Sequence, residues 1–186
     1  MSWNLVHFSD VLPVPWRNGG GVTRELAVSP AQGDWHWRMS VAEVDASGPF
    51  SRFDGIDRWF AVLDGAGVRL DVAGQEQLLT QNSAPFYFDG GATTDCTLVD
   101  GRTQDFNLMV CRGGTSAHMQ RINTRTHITL DAPKTIAVYA MNTGASVLFD
   151  SQTLHVPPQT LAWASLPAGA RMEIVAEQAL WMEIPE

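Results

Sequence analysis

Lysine is nearly missing from this 186-residue chain, which holds Lys134 alone of that type and carries a formal charge of −8. Such a chain offers no basic patch to the phosphates of nucleic acid or to an anionic membrane surface, so neither is an expected partner. Cysteine is as scarce. Cys96 and Cys111 lack CxxC spacing and read as reduced, packed thiols, not as a disulfide framework. The five histidines, His7, His36, His118, His127 and His155, form no HxH or HxxxH pair and read as exposed or packed side chains. Missing too is any apolar run near the roughly 18 residues of a membrane helix, as is a basic start followed by an apolar stretch. A cytoplasmic location is the expectation.

What is present is apolar and aromatic: 45% hydrophobic residues, seven Trp and eight Phe, enough to build a substantial core in one domain or two small fused lobes. The periodicity is that of strands. Residues 35–43 alternate, with Trp35, Trp37, Met39 and Val41 on one face and His36, Arg38 and Ser40 on the other. Residues 105–110 alternate as well, which puts Asp105 and Asn107 on one side. Further short strands follow at even spacing, among them 96–99, 135–141, 146–149, 160–166, 171–176 and 180–184. No long 3.6-residue period appears, so an all-β sandwich or barrel is predicted. Gly19, Gly20 and Gly21 let the backbone approach a ligand or another strand closely. They are not a phosphate loop, because no Lys-Ser/Thr follows and the next segment reads as a strand.

The centre of the chain is the stretch from Gly48 through Phe50, Phe53, Gly55 and Arg58 into Trp59 and on to Gly65. It reads as a turn that delivers Arg58 to the mouth of an apolar strand, with a hairpin return over 68–72. So arranged, it resembles the first half of a cupin, whose usual pattern sets a metal-binding glutamate seven residues before a turn glycine. Seven residues before Gly65 stands Arg58, and no histidine lies between Gly48 and Gly65. A guanidinium in place of the carboxylate and imidazole ligands that a metal needs points to an anion site with no metal and no cofactor. Residues 136–144 repeat the rhythm of 59–65, with Asn142, Thr143 and Gly144 as a second hairpin signal. This internal echo predicts a bicupin: a lobe over 1–114 carrying the candidate site, and a second over 115–186 partly completed by N-terminal strands.

Six blocks in consistent order sharpen the resemblance: Pro15 to Glu25, Trp37 to Ser40, Ala42 to Val44, Gly48 to Ser51, Gly55 to Arg58 and Asp105 to Met109. Together they resemble the HutD/Ves family. The resemblance implies two cupin-like jelly-roll lobes without the usual metal ligands. It further implies a role beside histidine utilisation, with formylglutamate as the small acidic metabolite bound, or in a stress response for the Ves members, and no established catalysis.

Within these blocks Arg24, Arg38 and Arg58 form a candidate receptor, because a planar guanidinium pairs a carboxylate through two parallel hydrogen bonds. Asn18, Thr23, Ser40 and Asn107 would orient a ligand's amide and carbonyl groups, and Trp16, Gly20 and Phe106 complete the candidate set. The competing reading of each arginine is an ion pair with Glu25, Glu43, Asp57 or Asp105. Glu43 and Asp105 are the weak candidates for an acid/base pair in a metal-independent isomerase, lyase or hydrolase; the simpler account has them neutralising arginines. A third alternative is an assembly module that forms a homodimer through an exposed sheet.

Overall fold

The computed structural model describes residues 2–113 and 117–186. It is built of strands. β1 (Asn4–His7) and a 3-10 turn (Phe8–Asp10) lead into β2 (Val14–Pro15), β3 (Gly21–Ser29), β4 (Trp37–Val44), β5 (Gly48–Pro49), β6 (Ile56–Asp64) and β7 (Val68–Val72). β8 (Gln75–Leu79), β9 (Phe86–Asp89), β10 (Thr94–Leu98) and β11 (Thr103–Cys111) follow. The remainder comprises β12 (His118–Ile122), β13 (Arg125–Thr129), β14 (Lys134–Ala140), β15 (Ala145–Phe149), β16 (Gln152–Val156), β17 (Thr160–Leu166), β18 (Arg171–Ala176) and β19 (Ala179–Pro185). Among the described residues no helix is long and apolar enough to cross a membrane.

The chain divides into two compact units. Val11–Gly114 is one, and Met1–Asp10 with Thr115–Glu186 is the other. Residues 114–116, where the sequence puts the lobe boundary, lie outside the described residues. The second unit takes in the first strand of the chain, because β1 pairs antiparallel with β17.

Each unit is two antiparallel sheets with an apolar core between them. In the first, a six-stranded sheet ordered β2-β3-β4-β11-β6-β9 faces a four-stranded one ordered β5-β10-β7-β8. Phe60, Val62, Val68, Leu70, Leu79, Phe88 and Cys96 fill the space, drawn from both sheets. In the second, β1-β17-β14-β19-β12 faces β13-β18-β15-β16. Adding eight to the strand numbers of the run β4-β11-β6-β9 gives β12-β19-β14-β17, and the four-stranded sheets correspond in the same way. The fold is all-β, with two cupin-like jelly-roll lobes, and the echo between 59–65 and 136–144 is a repeat of topology.

Two sequence expectations fail here. Neither β6 with β7 nor β14 with β15 forms a hairpin. β6 pairs with β11 and β9, β7 with β8 and β10, and the turn between β6 and β7 carries the chain from one sheet to the other. β14 and β15 part likewise. A glycine after an apolar strand signals a tight turn in either case, but a strand buried on both faces needs neighbours on both edges, and its sequence successor is not one of them. Gly67 shows how tight the crossing is: its φ is +110° and an added Cβ would strike the Leu79 carbonyl oxygen. Gly144, also at positive φ, is less tightly placed, the Val156 carbonyl oxygen lying 3.0 Å from where a Cβ would stand. Gly67→Ala is expected to destabilise by about 2 kcal/mol or more, from a positive φ plus a backbone clash; a urea midpoint equal to wild type would refute this. The strand expected over 35–43 starts at Trp37, leaving Trp35 outside the ladder. Cys96 is buried as expected, but Cys111 is exposed, its Sγ donating to the Trp35 carbonyl at 2.9 Å.

Candidate functional site

Register decides which side chains meet between the sheets of the first unit. β11 is paired on both sides, so Asn107 lies opposite Phe60 on β6 and Ser40 on β4, and Met109 lies opposite Arg58 and Arg38. Asp105 lies opposite Val62 and Ala42. Since Phe60 and Val62 belong to the core, this whole row faces inward: Arg58 on β6, Asp105 and Asn107 on β11, Arg38 and Ser40 on β4.

Arg58 is 5% exposed. Its Nη2 donates to Asn107 Oδ1 at 2.7 Å, while its Nε is buried without a hydrogen-bond partner. The guanidinium is roofed by the rings of Phe88, Phe50 and Phe53, at 4.9, 5.3 and 5.8 Å. Burial, with the Arg38 charge added, pulls its proton affinity down to about 9, so it stays cationic at neutral pH. Arg38 reaches the same Phe53 ring, 5.8 Å away, and also lies 5.7 Å from Trp35. Its Nε is buried without a hydrogen bond, and the nearest carboxylate oxygen, on Glu25, stands 3.8 Å off. Two guanidinium groups therefore converge on Phe53. Arg58 has no carboxylate partner among the described residues, and Arg38 has only the half-exposed Glu25 at 3.8 Å, which is the electrostatic condition for taking up an anion. The sequence reading did not identify the aromatic roof, although Phe50 and Phe53 both lie in the stretch it singled out; nothing in spacing distinguishes a ring packed on a cation from one packed on a methyl group.

Asp105 is fully buried. Thr103 donates its hydroxyl to Oδ2 at 2.7 Å, and Oδ1 has no partner. Burial pushes this carboxyl up to about 7, against the smaller opposing effect of the Thr103 hydrogen bond. Burial first, and then the Asp105 charge, push the Cys96 thiol up to about 12.

Other sequence candidates stand elsewhere, and these are corrections. Arg24 and Glu43 lie on the opposite face of the sheet. Arg24 Nε pairs with Glu43 Oε2 at 3.3 Å, Arg24 also donates to the Val11 carbonyl, and Arg102 holds the other Glu43 oxygen at 2.7 Å. Glu43 thus neutralises two arginines, which leaves it no free oxygen for acid/base work. Phe106, one residue out of phase with Asp105 and Asn107, points away from the row. Asn18 is exposed and its Oδ1 accepts from the Gly20 amide, a turn contact. Gly20 accepts the amides of Asp45 and Ala46 on its carbonyl, and Gly21 must lack a Cβ because one would strike the Glu43 carbonyl. The glycine triplet therefore serves strand approach. Trp16 and Thr23 support the site indirectly: the indole donates to Thr23 Oγ1 at 2.7 Å and stands edge-on to Phe50, 6.1 Å away.

The second unit has the same strand order with apolar residues at the positions matching Arg58, Asn107 and Asp105, while Glu183 and Gln120 on the same face are its polar members. On β14 and β19 the inward positions carry Ile136, Val138, Ala140, Ala179 and Trp181, all in its apolar core. A surface cleft of about 340 Å³ is lined by His127, Asp150, Arg171 and Glu173. Its Glu173 already pairs with Arg125 at 2.7 Å and His127 at 3.5 Å. Neither this cleft nor its neighbour beside Trp3 and Phe149 includes Arg58.

The comparisons agree with this architecture. The family model HutD matches residues 9–182. Protein Ves of Cronobacter sakazakii is 35% identical over 183 residues, covering 96% of this chain and 98% of that one. An uncharacterised 21.2 kDa protein in the hutC 3′ region of Pseudomonas putida is 38% identical over 107 residues, and that match spans 56% of each chain. HutD from Pseudomonas fluorescens, solved in a formate condition, superposes with a TM-score of 0.87 at 27% identity over 99% of this chain and 98% of that one. A conserved protein of unknown function from Pseudomonas aeruginosa gives 0.89 at 28% identity, covering all of both chains. A cupin 2 conserved barrel domain protein of Leptotrichia buccalis, at 9% identity and a TM-score of 0.59, shares the fold alone, covering 95% or more of each chain. By sequence match and by superposition alike, the chain belongs to the HutD family.

Proposed function

We propose that the first lobe is a metal-free receptor for a small carboxylate metabolite, and that the protein acts in histidine utilisation by holding such an acid, with formylglutamate as the first candidate. One observation carries the reading. Arg58 is sealed in the core with a single hydrogen bond to a neutral amide and an Nε that bonds to nothing. By contrast, Arg24, Arg52, Arg69, Arg102, Arg112 and Arg125 each sit within 3.4 Å of a carboxylate oxygen. A buried cation without a counter-ion is costly, and an incoming carboxylate would relieve it for Arg58, with Arg38, whose Glu25 partner stands 3.8 Å away, as the second guanidinium. The acid would enter by displacing the Phe53 ring, which both guanidinium groups approach to 5.8 Å, while Ser40 and Asn107 would supply neutral hydrogen-bonding partners. The names of relatives, one beside hutC and one HutD itself, support the metabolic context.

The test is a thermal-shift titration with formate, glutarate and N-formyl-L-glutamate. Wild type is expected to gain about 2.7 kcal/mol of apparent stability at a ligand concentration a hundredfold above Kd, and Arg58→Met to gain none. Consumption of the acid during the titration would favour an enzyme instead, with Asp105 the carboxyl placed to serve it. No shift with any of the three acids would refute the receptor.

A further inference from the structure

Receptor chemistry at Arg58 leaves Asp105 unexplained. Its Oδ1 points into the same interior as the arginine with no partner, and its side chain is fully sealed from water. The groups that face it are few. From β6 come Val62, Phe60 and Arg58; from β4 come Ala42, Ser40 and Arg38; from β10 comes Cys96; and its own strand adds Thr103 and Asn107. No cation touches it among the described residues, since Arg58 donates to Asn107 instead. A carboxylate enclosed without a cation is expensive as an anion and inexpensive as an acid. Nor does the fold require such a group, because the matching strands of the second unit fill their interior with Ala179, Trp181 and Ile136.

We propose that Asp105 holds a proton while the first lobe binds a carboxylate, and that loss of this proton expels the ligand, so that capture of the acid is coupled to the uptake of one proton. The proposal rests on the receptor reading above. With Asp105 neutral, Arg58 is the sealed charge facing the interior, Arg38 beside it is offset in part by the half-exposed Glu25 of β3 at 3.8 Å, and the space is cationic. With Asp105 ionised, the lobe contains its own anion, two residues along β11 from the amide that holds Arg58, and it competes with the ligand for the same field. Asp105 is thereby a group that sets affinity, and it needs no contact with Arg58 in the empty protein to do so.

The experiment is isothermal titration of the full chain with formate and with N-formyl-L-glutamate between about pH 5.5 and about pH 8, where neither probe titrates and Arg58 keeps its proton. Wild type is expected to show a Kd that is flat below about pH 6 and rises about tenfold per pH unit above about pH 7. At the upper end the heat should depend on the buffer as the uptake of one proton demands. In Asp105→Asn, which cannot ionise, the Kd should not vary with pH, whatever its absolute value. A pH-independent Kd in wild type, or an unchanged slope in Asp105→Asn, overturns the coupling while leaving the receptor intact. Absence of binding at every pH overturns both. If Asp105→Asn fails to fold, the buffer dependence of the wild-type heat decides by itself.

Discussion

Replacing Arg58 by methionine, together with Asn107 by leucine, is expected to give a more stable protein that binds no carboxylate. The guanidinium is 5% exposed, lacks a counter-ion and bonds one neutral oxygen. An unbranched apolar side chain of similar volume would pack among Phe50, Phe53 and Phe88 without the cost of dehydrating a charge. Exchanges of buried ionic groups for well-packed apolar ones are commonly neutral or stabilising by about 1–4 kcal/mol. In a chain of this size that raises Tm by about 2–4 °C for each kcal/mol. Arg58→Met alone should gain less, because Asn107 Oδ1 would lose its donor inside the core, at a cost of about 1–3 kcal/mol. The measurement is urea unfolding of both variants beside the ligand titration. A double variant several kcal/mol less stable than wild type would make Arg58 a structural element and would remove the argument that it is held in place for a ligand.

Asp105→Asn should flatten the dependence of stability on pH in the empty protein. The folded-state carboxyl titrates near 7, well above its usual value of 3.8, with burial as the main cause. A carboxyl whose affinity for protons is higher folded than unfolded contributes stability that is complete below about pH 4 and is lost as the pH climbs to about 7. The loss is on the order of a few kcal/mol at one pK unit per 1.4 kcal/mol or so. Wild type minus Asp105→Asn isolates this group from the other carboxylates, whose pairing acts in the opposite direction. Asp89 and Asp131, held below the usual range by the Gly91 amide with Arg112 and by Lys134, are examples. Urea unfolding at about pH 5 and pH 8 should therefore show a gap between the two proteins that widens in favour of Asp105→Asn at the higher pH. A constant gap would place the Asp105 titration at an ordinary carboxylate pKa and would remove the basis for proton-coupled binding.

The sequence alone determined the class of fold, because two-residue alternation and the lack of any 3.6-residue period are local properties. It likewise marked Arg58: a charged residue at the head of an apolar strand, where a metal carboxylate is the usual occupant, is visible without coordinates. The face shared by Asp105 and Asn107 was legible for the same reason, as side chains two apart on a strand point the same way. What it could not supply was partnership. Arg24, Arg38 and Arg58 are equivalent as letters, yet Arg24 closes on Glu43 across the far side of the sheet while Arg58 is left among rings. Which strand lies beside which decides this, and the two expected hairpins failed on that point: β6 finds its partners in β11 and β9, distant in the chain. Burial of both faces of a central strand is a property of the assembled sheets, and the assembled sheets alone strip Asp105 of water and leave Arg58 without a counter-ion.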